Sequence, residues 1–160
     1  MLLTPYPWPP EAIGHDDGLA LIAGAERLKR AAASATGLPP LLQGKRLALL
    51  SDDQDSAAAQ AFVQAATALG GHVARVRASG PGERHVQDLA ALLGQLYDAI
   101  ECQGLAPADL RQLGRNAGVP VFDSVGGAGH PLHRLAGAMP GDAVANHRHL
   151  LQALLSTALG

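Results

Sequence analysis

Three aspartates, Asp52, Asp53 and Asp55, crowd one short stretch, SDDQDS at 51–56, with no basic residue among them. Carboxylates gathered this closely can hold a divalent cation or an organic cation, or can act as caps on a helix N-terminus. A second chemical stretch is GGAGHPLH at 126–133, where glycines precede His130 and His133. Glycines before a helix can cradle an anion, but no Gly-Lys-Ser/Thr follows to make a P-loop. His130 and His133 are three apart and are expected on one face of a first helical turn. Asp52, Asp53 and His130 are the candidate metal set. Adding Asp55 and His133 makes a candidate cation pocket. His147 and His149 are two apart and are read as structural. The lone cysteine, Cys102, falls in an apolar run and is read as buried, with no neighbour in sequence that would lower its pKa.

The elements that must position these residues follow from periodicity. Helices are expected over 17–35, with Asp16 or Asp17 as its cap, and over 55–69, 86–97, 107–116, 130–137 and 142–159. Strands are expected over 46–50, 72–77, 99–102 and 119–122. Gly70-Gly71 stops the second helix, and Pro107 sits in the first turn of the fourth. Strands alternating with helices at short spacing imply βαβ units. The expected fold is therefore α/β and three-layered. It has four parallel strands in order about 2-1-3-4 and helices on both faces. Residues 1–16, with Pro5, Pro7, Pro9 and Pro10, are expected as an extended arm pinned by Trp8. Residues 17–139 form the domain, and 140–160 supply a last helix packed on it.

Composition narrows the function. The 160 residues carry a formal net charge of −2 and no basic run, which argues against nucleic acid as a partner. One cysteine excludes an internal disulfide framework. No apolar stretch approaches the ~20 residues of a membrane span, and no leader pattern opens the chain. A cytoplasmic protein without a cofactor is expected. A phospho-receiver reading of the acidic turn fails at the third strand, which ends Glu101-Cys102-Gln103 rather than in aspartate. No lysine follows Lys45 to serve as that domain's partner group.

Several ordered runs carry a resemblance. LLQGKRLALL at 41–50, FVQAATALGGHV at 62–73, Val86-Gln87-Asp88, Tyr97-Asp98-Ala99-Ile100, Val119-Pro120-Val121 and His130-Pro131-Leu132-His133 lie in the chain with almost no gaps. Together they resemble the carbamoyl-phosphate-binding domain of aspartate and ornithine carbamoyltransferases. Residues 146–153, NHRHLLQA, resemble that family's final helix, which there follows a complete second domain. Here only Pro140-Gly141 precedes it, so the resemblance implies a carbamoyltransferase lacking its amino-acid-binding domain. It also implies a homotrimer, because the family's first domain makes the trimer contacts.

The family's phosphate motif, Ser-Thr-Arg-Thr-Arg, aligns with Asp55, Ser56, Ala57, Ala58 and Ala59. A further arginine aligns with Gln103, the Gln of its His-Pro-x-Gln motif with His133, and an acidic loop residue with Arg84. Asp55, Ser56, Ala57, Ala58, Gln103, His130 and His133 thus mark a vestigial ligand pocket with no catalytic residue expected. Three readings follow. One is an inactive binding or scaffold protein. Another is an enzyme or cation-binding protein using the altered pocket. The third is a regulatory subunit joined to a full-length carbamoyltransferase paralogue.

Overall fold

A computed structural model describes residues 13–78 and 85–160. The elements, in order, are α1 (His15–Ala33), β1 (Arg46–Leu50), α2 (Ala57–Ala68), β2 (His72–Val76), α3 (His85–Leu96), β3 (Ala99–Cys102), α4 (Pro107–Asn116), β4 (Val121–Asp123), α5 (Pro131–Ala138) and α6 (Ala143–Leu159). The four strands form one parallel sheet in the order β2-β1-β3-β4, as expected. Each strand except the edge β2 is short and largely buried, as parallel strands covered on both faces must be.

Alternation along the strands divides the core. Leu47, Leu49, Ala99 and Phe122 face one way, into a cluster with Leu21, Phe62, Leu132 and the leucines of α6. Ala48, Leu50, Ile100, Cys102 and Val121 face the other way, against Leu93, Leu110 and Leu113 of α3 and α4. Helices therefore cover both faces. Gly94 sets how closely α3 and α4 approach, since a Cβ there would lie 1.8 Å from the Ala117 carbonyl oxygen.

Helix α6 packs against α1, α2 and α5. Leu150, Leu151, Leu154 and Leu155 are all completely buried. Polar ties fix its start. The Asn146 amide donates to the carbonyls of Ala136, Met139 and Pro140, and its Oδ1 accepts from Lys29 Nζ at 3.3 Å. Gln152 donates to the Ala65 carbonyl, joining α6 to α2.

Several boundaries differ from expectation. Helix α1 begins at His15, inside the expected arm. Gly14 is its N-cap with no side-chain bond, so Asp16 and Asp17 are first-turn carboxylates rather than caps. The remainder of the arm, with Trp8, lies outside the described residues, as does Arg84. Helix α2 begins at Ala57 because Ser56 turns out of the helix and caps it, its Oγ accepting from Ala59 N at 3.0 Å. Strand β4 starts two residues late. Gly118 is at φ 75°, and Pro120 offers Ile100 its carbonyl but has no N–H for the ladder. Among the described residues no helix is long and apolar enough to cross a membrane.

Loss of the α2 cap has a definite cost. Ser56→Ala should lower stability by about 1 kcal/mol, or about 2–4 °C in melting temperature. A melt within 1 °C of wild type, roughly the resolution of the method, would show the cap to be redundant.

Candidate functional site

In the order β2-β1-β3-β4 the connections leave β1 toward opposite sides, so the carboxyl ends of β1 and β3 bound a crevice, the usual ligand position in such sheets. A cleft of about 390 Å³ opens there. Ser51, Asp52 and Asp53 come from the end of β1, and Ser56 and Ala58 from the start of α2. Gln103 and Gly104 follow β3, and Ser124 and Gly127 follow β4. Among the described residues no lysine, arginine or histidine lines it. Two other hollows lie away from it, one between α1 and α6 and one beside Lys45, Arg46 and His72 at the opposite ends of the strands.

The acidic turn is rigidly built. Ser51 N donates to the Val76 carbonyl, and the Gln54 amide donates to the carbonyls of Leu49, Ser51 and Val76. Asp53 Oδ1 accepts from Asp55 N at 3.3 Å. The Asp52 and Asp53 side chains remain exposed at the cleft mouth.

The floor holds a group that the sequence reading missed. Glu101, in the middle of β3, is completely buried. Its carboxylate accepts from Gln103 Nε2 at 3.2 Å, Val125 N at 3.3 Å and Gly126 N at 3.1 Å. Burial, reinforced by Asp123 and only partly offset by these three donors, pushes its pKa up to about 7. The loop it holds presses closely on α2: a Cβ at Gly126 would lie 2.3 Å from the Ala58 carbonyl oxygen. Ser124 in this loop takes φ 54°, a left-handed conformation unusual for serine, and its N–H donates to the Cys102 carbonyl. Cys102 itself is buried, and desolvation and the neighbouring Glu101 and Asp123 raise its thiol pKa.

The expected histidine pair divides. His130 lies outside α5 as its N-cap, 3% exposed, with Nδ1 accepting from Leu132 N at 3.2 Å. His133 is exposed in the first turn, so the two do not share a surface face, and neither lines the cleft. His133 instead meets His147 edge-on, ring centroids 5.4 Å apart, and His147 Nε2 is 3.2 Å from the Val125 carbonyl. Burial, with His147 nearby, lowers the His130 pKa to about 4; burial also lowers that of His147. Both rings are neutral at pH 7. His149 bonds Gln152 at 2.9 Å inside α6.

Of the expected pocket residues, Asp52, Asp53, Ser56, Ala58 and Gln103 come together. Asp55 and Ala57 are exposed beside the cleft without lining it. The metal set Asp52, Asp53 and His130 is not assembled. Among the described residues no three His, Cys, Asp or Glu side chains converge as metal ligands. The reason is that His130 is folded inward to cap α5 while the carboxylates point outward at the cleft mouth.

A family model for the aspartate/ornithine carbamoyltransferase carbamoyl-P binding domain matches residues 10–140. The chain belongs to the aspartate/ornithine carbamoyltransferase family. The ornithine carbamoyltransferase of Cutibacterium acnes is 37% identical over 103 residues, 62% of this chain and 31% of that protein. The catabolic ornithine carbamoyltransferase of Burkholderia mallei is 36% identical over 118 residues, 72% and 35% respectively. Among solved structures, ornithine carbamoyltransferase from Thermus thermophilus superposes with a TM-score of 0.63 at 31% identity, covering 78% of this chain and 43% of that one. The catalytic subunit of M. jannaschii aspartate transcarbamoylase gives a TM-score of 0.70 at 21% identity, covering 84% and 45%, a likeness of fold. The chain thus spans about a third of these curated relatives.

Proposed function

We propose that this carbamoyltransferase-family chain is a non-catalytic binding or scaffold protein that does not take carbamoyl phosphate. The observation that carries the reading is the cleft lining, which among the described residues has two carboxylates and no cationic side chain. Three guanidinium groups implied by the family motif are replaced by Ala57, Ala59 and Gln103. Each lost charge-assisted pair forfeits about 1.5–3 kcal/mol. A carboxylate ~4 Å from a phosphate charge adds a repulsion of about 1–4 kcal/mol, depending on screening. Together these come to about 5–13 kcal/mol, comparable to the ~8 kcal/mol that a micromolar ligand requires.

Chain connectivity supports the same reading. Four residues, Met139 to Asp142, separate α5 from α6, and α6 takes the place of the family's closing helix. No acceptor-binding domain intervenes. The surface that makes trimer contacts in the family is the basis for proposing a homotrimer, or a mixed assembly with a full-length paralogue. Calorimetric titration with carbamoyl phosphate is expected to show no saturable binding below about 1 mM, the limit set by this loss of affinity. Saturation in that range would overturn the reading. Light scattering giving a 16.4 kDa particle would remove the trimer.

A further inference from the structure

One wall of the cleft rests on a buried acid. Ser124 and Gly127 line the cleft, while the two residues between them, Val125 and Gly126, donate their N–H groups to Glu101 at 3.3 and 3.1 Å. The Gln103 amide donates to the same carboxyl at 3.2 Å. Charge-assisted bonds are shorter, about 2.7–2.9 Å. Three long bonds do not offset the removal of a full charge from water, whereas a neutral carboxyl accepts them and loses far less by burial. Among the described residues no cation compensates the charge. Asp123 at the end of β4 adds a negative one, and Cys102 beside it stays a thiol. Helix α2 carries no titratable side chain. From α5 and α6 the nearest groups are His130 and His147, whose pKa values are lowered by burial; the His147 ring meets the far side of Val125, at its carbonyl. The loop is also strained at Ser124, φ 54°, so movement there releases strain.

We propose that the loop Ser124–Gly127 is a pH-gated wall of the cleft, closed over Glu101 when that carboxyl is protonated and released when it ionises. On release Val125 and Gly126 leave the carboxylate, its proton passes to solvent, and cleft water takes their place. The direction follows from linkage. With the loop closed the carboxyl titrates at about 7, and with water admitted it returns toward 4.5. The open state then binds fewer protons, so opening increases with pH. Between about pH 6 and pH 8 the open population should grow about tenfold, with little further change above that. The device is independent of what the cleft binds.

The test is amide hydrogen exchange of the intact protein, read residue by residue by NMR and expressed as protection over the intrinsic rate at each pH. The Val125 and Gly126 amides are expected to be less protected than Ile100, whose N–H donates to the Pro120 carbonyl inside the sheet. Their protection should fall about tenfold from about pH 6 to pH 8. The carboxyl ¹³C shift of Glu101 should titrate over the same range. In Glu101→Gln the two loop amides should show protection that no longer varies with pH, which separates this group from the histidines. Loop protection that is constant or rises with pH would overturn the proposal, as would loop amides that exchange only in step with Ile100. So would a pH dependence that survives in Glu101→Gln. Should that variant fail to fold, the wild-type carboxyl decides: a ¹³C midpoint near the ordinary 4.5 would equally overturn it.

Discussion

Replacing Glu101 with glutamine should remove a pH-dependent contribution of about 3 kcal/mol to stability. The Glu101 carboxyl has its pKa raised by burial from 4.5 to about 7 in the folded chain. Between those values the folded state holds a proton that the unfolded state has released. Stability from this group is therefore fully present below about pH 4.5 and is lost as pH rises through 7. His130 acts in the opposite direction. Its pKa falls from 6.5 to about 4 on burial, so the unfolded state takes up a proton that the folded state refuses. That contribution is present above 6.5 and is lost on acidification, and His147 adds to it with the same sign. In the wild type the opposed slopes largely cancel between pH 5 and 6.5. In Glu101→Gln the histidine slope stands alone, and stability should fall steeply on acidification. Urea denaturation at intervals from pH 5 to 8 measures this. Wild-type and variant curves that run parallel would show that Glu101 does not titrate in that window. The slope is the readout, because the glutamine amide also disturbs the Val125 and Gly126 donors at every pH.

Ending the chain after Asp142 should abolish cooperative folding. The four buried leucines of α6 each contribute about 1.5–3 kcal/mol, a sum comparable to the entire stability of about 5–15 kcal/mol expected of such a domain. Their loss would also uncover Leu21, Phe62 and Leu132, which share the same cluster. Asn146 and its three carbonyl acceptors, which hold the turn from α5, would go as well. A graded version is Leu154→Ala, expected to cost about 2–5 kcal/mol at a fully enclosed position. Circular dichroism melts and dye binding report both. A truncated chain with a sharp thermal transition would show that α6 is dispensable to the core.

Much of the scaffold is legible locally. The short apolar run Leu47–Leu50, bounded by turn residues, reads as a covered strand, and Gly70 at φ 87° ends α2 where a side chain would be strained. Asp52, Asp53 and Gln103 follow directly on strands, so they fall at the crevice whatever the packing. Glu101 is different. A single acid in a four-residue strand gives no sign of which face it takes or what meets it, since its backbone donors lie 24 and 25 residues downstream. Spacing marks His147 as structural but not its partners: its ring closes on His133 and the Val125 carbonyl across the α5–α6 turn.

The order of apolar runs, glycine stops and short connections settles the α/β architecture, because right-handed crossovers and two-sided burial leave few ways to arrange four parallel strands. The absence of arginine from 51–59 is likewise a property of the chain alone, as is the acidity of that turn. Packing separated the histidines from the aspartates and placed a buried carboxyl beneath the cleft. It also made Gln103 a donor to that carboxyl. Those are contacts between segments far apart in sequence, made only when the sheet and α6 bring the ends of β1, β3 and β4 to one place.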